Sequence, residues 1–313
     1  MLARKSILRF WALLLLGAIL VVAGDRLVGH FLERSYRNAT HGIAGKENYV
    51  VDSVRADIVV MGSSRALHHY VPSLITQATG LSCYNCGIAN EGIANHYAML
   101  EAIAARHLPR LVIYEVTYNY DIERAYYMRR WSRVKRLPQE VTCRDSILLE
   151  GDPLQRYKML SRIYPYNTVA IDNWVSPPDK EIYDADGIDH GYDPLHGTYN
   201  PSPDFTYDEV LSGGTDPFKM KWLRALVSHY RDRLVVFCSP HYGATTATDS
   251  LYNPVKTLCA KYGVPCHILR SDTLFNHTAS LWDDDGHLNH DGATLYTSER
   301  VIPLLKKQLS HEQ

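Results

Sequence analysis

Asp57-Ile-Val-Val-Met-Gly-Ser-Ser-Arg65 is the stretch on which the fold turns. Ala56 to Met61 is a short, nearly continuous apolar run of the kind required by a strand buried on both faces, and it stops at Gly62-Ser63-Ser64. Downstream, Pro72 interrupts the helical tendency of Arg65 to Thr79, so the sequence predicts a turn and then a helix from about Ser73 to Gly80. Leu81 to Tyr84 reads as a second strand. Ile93 to Arg106 has helical spacing at Ile93, Met99, Leu100 and Ile103 and is closed by Pro109, and Leu111 to Val116 reads as a third strand. This β-α-β-α-β alternation predicts α/β architecture, a parallel sheet between two layers of helices with its functional residues at the carboxyl ends of the strands.

Further along, Pro217 to Tyr230 predicts a helix, Leu234 to Cys238 a fourth strand, Pro265 to Leu269 a fifth, and Gly292 to Gln308 a terminal helix. Between Tyr118 and Gly214 the alternation is lost. This stretch, rich in Tyr, Pro, Asp and Arg, reads as an insertion over the strand ends. Its tyrosines (Tyr126, Tyr127, Tyr157, Tyr164, Tyr166, Tyr183, Tyr192, Tyr199 and Tyr207) pack a lid or offer flat amphipathic faces to sugar rings.

The chain begins differently from its body. Arg4, Lys5 and Arg9 precede an almost unbroken apolar run from Phe10 to Ala23, so residues 1–24 read as a targeting or anchoring segment, a transmembrane helix or a signal peptide cleaved after Val21-Val-Ala23. The basic flank places the N-terminus in the cytoplasm. The body then lies on the extracytoplasmic side, periplasmic or extracellular, anchored to the membrane or released as a secreted form. Residues 25–54 read as a connector, polar from Lys46 to Val54, and 55–309 as one domain with the insertion at about 118–214.

Across 313 residues, 33 Lys and Arg against 34 Asp and Glu give a net charge of -1, which provides no basic field for nucleic acid. An apolar fraction of 46% is enough for an ordinary globular core. The six cysteines would sit where disulfides persist if the body is exported, with Cys259 and Cys266 the natural structural pair and buried free thiols the alternative. Cys83-Tyr-Asn-Cys86 has redox or metal spacing, but no second pair follows at zinc-finger distance.

A second stretch, Trp282-Asp-Asp-Asp-Gly-His-Leu-Asn-His-Asp-Gly-Ala293, carries chemistry. Asp284 and His287, three residues apart in a tight loop, can set a carboxylate against one imidazole nitrogen and leave the other facing a neighbour. The three consecutive acids lack the alternating oxygen ligands of a calcium loop. Gly62 permits a sharp turn after the first strand, which makes Ser64 the candidate nucleophile, although a serine there also serves as a helix cap.

With these residues in view, the body resembles the SGNH hydrolases, the GDSL esterase and lipase superfamily, in its GSSR-type membrane-anchored branch. The resemblance covers about residues 55 to 309 outside the insertion and implies a flavodoxin-like three-layer sandwich. Gly62-Ser63-Ser64 resembles the nucleophile block, with Ser63 replacing its Asp. Asn85-Cys-Gly-Ile-Ala-Asn90 resembles the second block, and Asp284-Asp-Gly-His287 followed by Leu-Asn and Gly292-Ala293 resembles the DxxH block. The third block departs: Thr117-Tyr-Asn119-Tyr keeps an asparagine but loses the glycine and the aspartate of GxND.

The resemblance implies a Ser64-His287-Asp284 triad, an oxyanion hole of Ser64, Gly87 and Asn119, and no metal or organic cofactor. Arg65, Asn90 and His241 are substrate-contact candidates. The implied activity is serine-dependent ester cleavage through an acyl-enzyme, on an acylated glycan of the envelope or on a small ester. Three readings compete with it: an O-acyltransferase with the same triad and envelope-biosynthesis partners, a catalytically silent glycan-binding scaffold, and a metal-dependent hydrolase using His68, His69, His287 and the neighbouring acids.

Overall fold

The structure, a computed structural model, describes residues 2–125, 129–168, 188–202 and 214–310. Tyr126, Tyr127, Tyr183 and Tyr207 of the insertion lie outside the described residues. Five parallel strands form one sheet: β1 (Ile58–Gly62), β2 (Cys83–Asn85), β3 (Leu111–Glu115), β4 (Leu234–Cys238) and β5 (Cys266–Ile268), in the order β2-β1-β3-β4-β5. Each lies within about two residues of its expected position. β1 pairs with both β2 and β3, with Gly62 opposite Glu115, so the chain reverses its direction of travel across the sheet at β1. A crevice opens at the carboxyl ends at such a switch point.

Alternation along each strand feeds two cores. Val59, Met61, Val112, Tyr114, Leu234 and Val236 face one of them, together with helices α2 (Gly42–Asp52), α5 (Ile93–Arg106), α10 (Pro217–His229) and α11 (Asn253–Tyr262). Ile58, Val60, Leu111, Ile113, Val235 and Phe237 face the other, with α3 (Ser64–His69), α4 (Pro72–Thr79), α12 (His290–Tyr296) and α13 (Ile302–Ser310). Both faces are covered by helices, so the strands read as continuous apolar runs. Short helices α6 (Tyr118–Asp121), α7 (Arg144–Gly151), α8 (Gln155–Lys158) and α9 (Ile188–Gly191) belong to the insertion.

Two regions differ from expectation. Arg65 to His69 is helical instead of a turn, and the helix that was to start at Ser73 starts at Pro72, where a missing N–H costs nothing, and ends at Gly80 in the left-handed region. The connector is ordered. α1 (Leu2–Arg37) runs far past the apolar block, and α2 follows with Lys46, Glu47, Val50 and Val51 buried. Lys46 and Glu47 are satisfied inside the protein: Lys46 Nζ donates to Gly191 O at 2.7 Å, and Glu47 accepts from Tyr36 Oη at 2.6 Å and Arg133 at 3.0 Å.

α1 is long and apolar enough to cross a membrane, and its apolar residues from Ile7 to Val22 are exposed. The six cysteines are free thiols, five of them buried, and Cys259 and Cys266 are hydrogen-bonded to each other.

Candidate active site

β1 delivers the serine. Gly62 has φ +144°, and a Cβ on it would lie 2.6 Å from Glu115 O, so glycine is required both for the conformation and for the close approach of β3. Ser63 then sits extended at the N-cap of α3, and Ser64 opens that helix, whose first N–H groups have no intrahelical partner.

The base arrives from the far end of the chain. Trp282 and Leu288 form an antiparallel bridge that pinches the intervening loop, and Trp282, fully buried, donates its indole N–H to Phe275 O at 2.9 Å. Asn289 caps α12 by accepting from Gly292 N at 3.0 Å, and its amide donates to Gly197 O and Ser280 O. Within this loop His287 Nδ1 lies 2.9 Å from both oxygens of Asp284, and His287 Nε2 lies 2.8 Å from Ser64 Oγ. A carboxylate only accepts, so Nδ1 carries the proton and Nε2 presents its lone pair to the serine hydroxyl.

Asp284 also accepts the N–H groups of Gly286 and His287 at 2.8 Å each. Partial burial pushes its carboxyl pKa up, but the hydrogen bond and charge of His287 and these two N–H groups outweigh that and hold it below the usual value. It therefore stays ionised and keeps the imidazole in the productive tautomer.

Beneath the serine lies a buried polar network that the sequence did not announce. Glu115, at the end of β3 and fully buried, accepts from Tyr70 Oη at 2.5 Å, Ser239 Oγ at 2.8 Å and Ser239 N at 3.0 Å. Burial pushes its pKa up, opposed by Arg65 at 3.5 Å and by these donors. Ser239 Oγ also lies 2.8 Å from His69 Nδ1, and His69 Nε2 accepts the N–H of Leu288 at 3.0 Å. One chain of contacts thus runs from the end of β3 to the residue after His287. Desolvation, Arg65 and neighbouring histidines push the His69 pKa well down, which keeps its Nε2 an acceptor. A charged residue closing an apolar strand, Leu-Val-Ile-Tyr-Glu115, was the signal available.

The remaining expected residues divide. Arg65 is 5% exposed and turned inward, donating to Ser239 and to Pro240 O at 2.9 Å, so it ties α3 to the end of β4 and does not face a substrate. Gly87 packs against α3, where an added Cβ would lie 2.5 Å from Leu67 N, and its own N–H donates to Asn85 Oδ1 at 2.9 Å. That donor is engaged. Asn119 lies exposed on α6, just past the end of β3, with its carbonyl held by Lys219 Nζ at 2.6 Å. Asn90 is exposed, has φ +61°, and accepts from Tyr120 Oη at 2.8 Å.

His241 flanks the loop that carries Asp284 and His287: an added Cβ on Gly286 would lie 4.0 Å from its Nε2, and Tyr242 N donates to Asp285 O. Desolvation, with Arg65 adding to it, pushes the His241 pKa down to about 3. Both nitrogens of His69 are committed to protein groups, and among the described residues no group of three or more His, Cys, Asp or Glu is arranged to hold a metal ion.

No family model and no curated protein matches the sequence.

Proposed function

We propose that the protein is a serine-dependent esterase that removes acyl groups from an envelope or extracellular glycan, working from a membrane anchor formed by α1 with its body on the extracytoplasmic side. The observation that carries this reading is the unbroken hydrogen-bond path Asp284–His287–Ser64, assembled from residues 223 positions apart. The resemblance of the same residues to the SGNH hydrolase blocks supports it from the sequence side.

In this mechanism His287 Nε2 takes the Ser64 proton as Oγ attacks the ester carbonyl, and Asp284 stabilises the imidazolium that forms. The Ser64 N–H at the start of α3 and the exposed Asn119 amide receive the oxyanion, in place of the engaged Gly87 N–H. Collapse expels the alcohol, which takes its proton from His287 and leaves an acyl-Ser64. Water, deprotonated by His287, then releases the acid. A sugar hydroxyl entering at that last step turns the same machinery into an O-acyltransferase.

The test is hydrolysis of an aryl acetate by the full chain in detergent, with intact mass measured after rapid quenching and with Ser64→Ala and His287→Ala alongside. Release of the phenol and a transient acetyl adduct, both absent from the two variants, are expected. A native chain that shows no turnover and no adduct removes the esterase reading.

A further inference from the structure

The insertion carries a surface that this chemistry does not use. Leu154–Arg162 reads Leu-Gln-Arg-Tyr-Lys-Met-Leu-Ser-Arg, three cations and no acid. Its apolar side chains face water: Leu154 is 57% exposed, Tyr157 60% and Leu160 69%. Large apolar groups interleaved with long cationic ones are the composition of a segment that lies in a lipid–water boundary, the apolar groups dipping in and the cations reaching the headgroups.

Its place in the fold points to the same surroundings. Asp25, two residues beyond the apolar run that ends at Ala23, accepts from Ser161 Oγ at 2.5 Å and from Arg162 N at 2.9 Å. Arg26 donates to Leu160 O at 2.9 Å, and Glu33 pairs with Arg162 at 2.9 Å. Leu160 is therefore held level with the point at which α1 leaves its apolar stretch. Beside it opens a cleft of about 500 Å³, in whose lining Arg26, Arg37, Lys135, Arg144 and Arg162 outnumber two glutamates.

We infer that Leu154–Arg162 is a second, interfacial membrane contact, seated among the headgroups of anionic phospholipids beside α1. This rests on the reading of α1 as a membrane anchor. Each Lys or Arg brought to an anionic surface strengthens binding about fivefold. The body is then held against the bilayer at two points, which fixes its height and tilt where a single flexible tether would leave both free.

The full chain, reconstituted in phosphatidylcholine vesicles with or without phosphatidylglycerol, tests this with an environment-sensitive fluorophore on Leu160→Cys and quencher-bearing lipids. The same label on Val21→Cys reports the anchor, and on Leu274→Cys, beside the opposite core, the solvent-facing body. The unsubstituted chain controls for labelling of native cysteines. Expected are quenching at position 21 in both vesicles, quenching at position 160 that is strong with phosphatidylglycerol and severalfold weaker without it or in Arg156→Glu/Lys158→Glu, and none at position 274. Quenching at 21 without quenching at 160, or quenching at 160 indifferent to phosphatidylglycerol and to the charge reversals, overturns the inference. Absence of quenching at 21 overturns the anchor reading itself.

Discussion

The two halves of the site are built in opposite ways. Ser64 stands just past the end of β1, an interior strand of the sheet that is buried along its whole length, with Gly62 pressed against β3. His287 and Asp284 stand on a loop, the Asp284 side chain half exposed, and are held by a bridge, a buried indole and an asparagine cap. Backbone pairing positions the serine, and side chains position the histidine. The seam between them is His69, which belongs to the serine's helix and grips Leu288 in the base's loop.

The largest effect belongs to the nucleophile. Ser64→Ala removes the attacking atom and disturbs no pairing of the sheet, so kcat/KM on an aryl ester falls about 10⁶-fold with an unchanged melting temperature. Asp284→Asn keeps the loop's shape but loses the tautomer control, and a fall of about 10⁴-fold in kcat is expected. A much smaller loss would mean that the loop alone orients His287, and the contrast between the halves would weaken.

Glu115→Ala acts on the serine's side without touching the reacting atoms. It leaves Arg65 buried without its carboxylate partner, and denaturant unfolding should show a loss of about 3–5 kcal/mol. Asn119→Ala sharpens the comparison at the end of β3. As an oxyanion donor its removal lowers kcat about 10²-fold with little change in stability. Unchanged kcat would leave the oxyanion to backbone donors alone.

The smallest effect tests the seam. His69 is neutral in the fold with its pKa pushed well below the ordinary histidine value of about 6.5, while in the unfolded chain it takes up a proton below that value. Its burial therefore costs stability as pH falls below about 6.5. His69→Gln does not titrate, so the stability of the native chain relative to this variant should drop by about 1.4 kcal/mol per pH unit below that point. A pH-independent difference would show that His69 is not held neutral against Leu288.

The same contrast explains what the sequence disclosed. The strands were legible because a sheet covered on both faces demands continuous apolar runs such as Ile58–Met61 and Leu234–Cys238, and Asp284 and His287 were legible because their contact is local. Arg65, Glu115 and Ser239 were not, because their partners lie 45 to 175 residues apart and each alone looks like a surface residue. α2 was read as polar connector for a related reason: Lys46 and Glu47 look solvated until Gly191, Tyr36 and Arg133 are brought to them. Gly87 was legible as a position but not in its bonding, since the Asn85 side chain that engages its N–H is visible only in three dimensions.

The 223-residue separation of Ser64 from His287 also sets an order of events in the life of each molecule. At synthesis rates of about 5–20 residues per second, the serine is made about 10 to 45 s before His287 is. Throughout that interval the nascent chain carries an ordinary alcohol. On the proposed mechanism, a product terminated anywhere before His287 keeps its serine and has no imidazole to activate it.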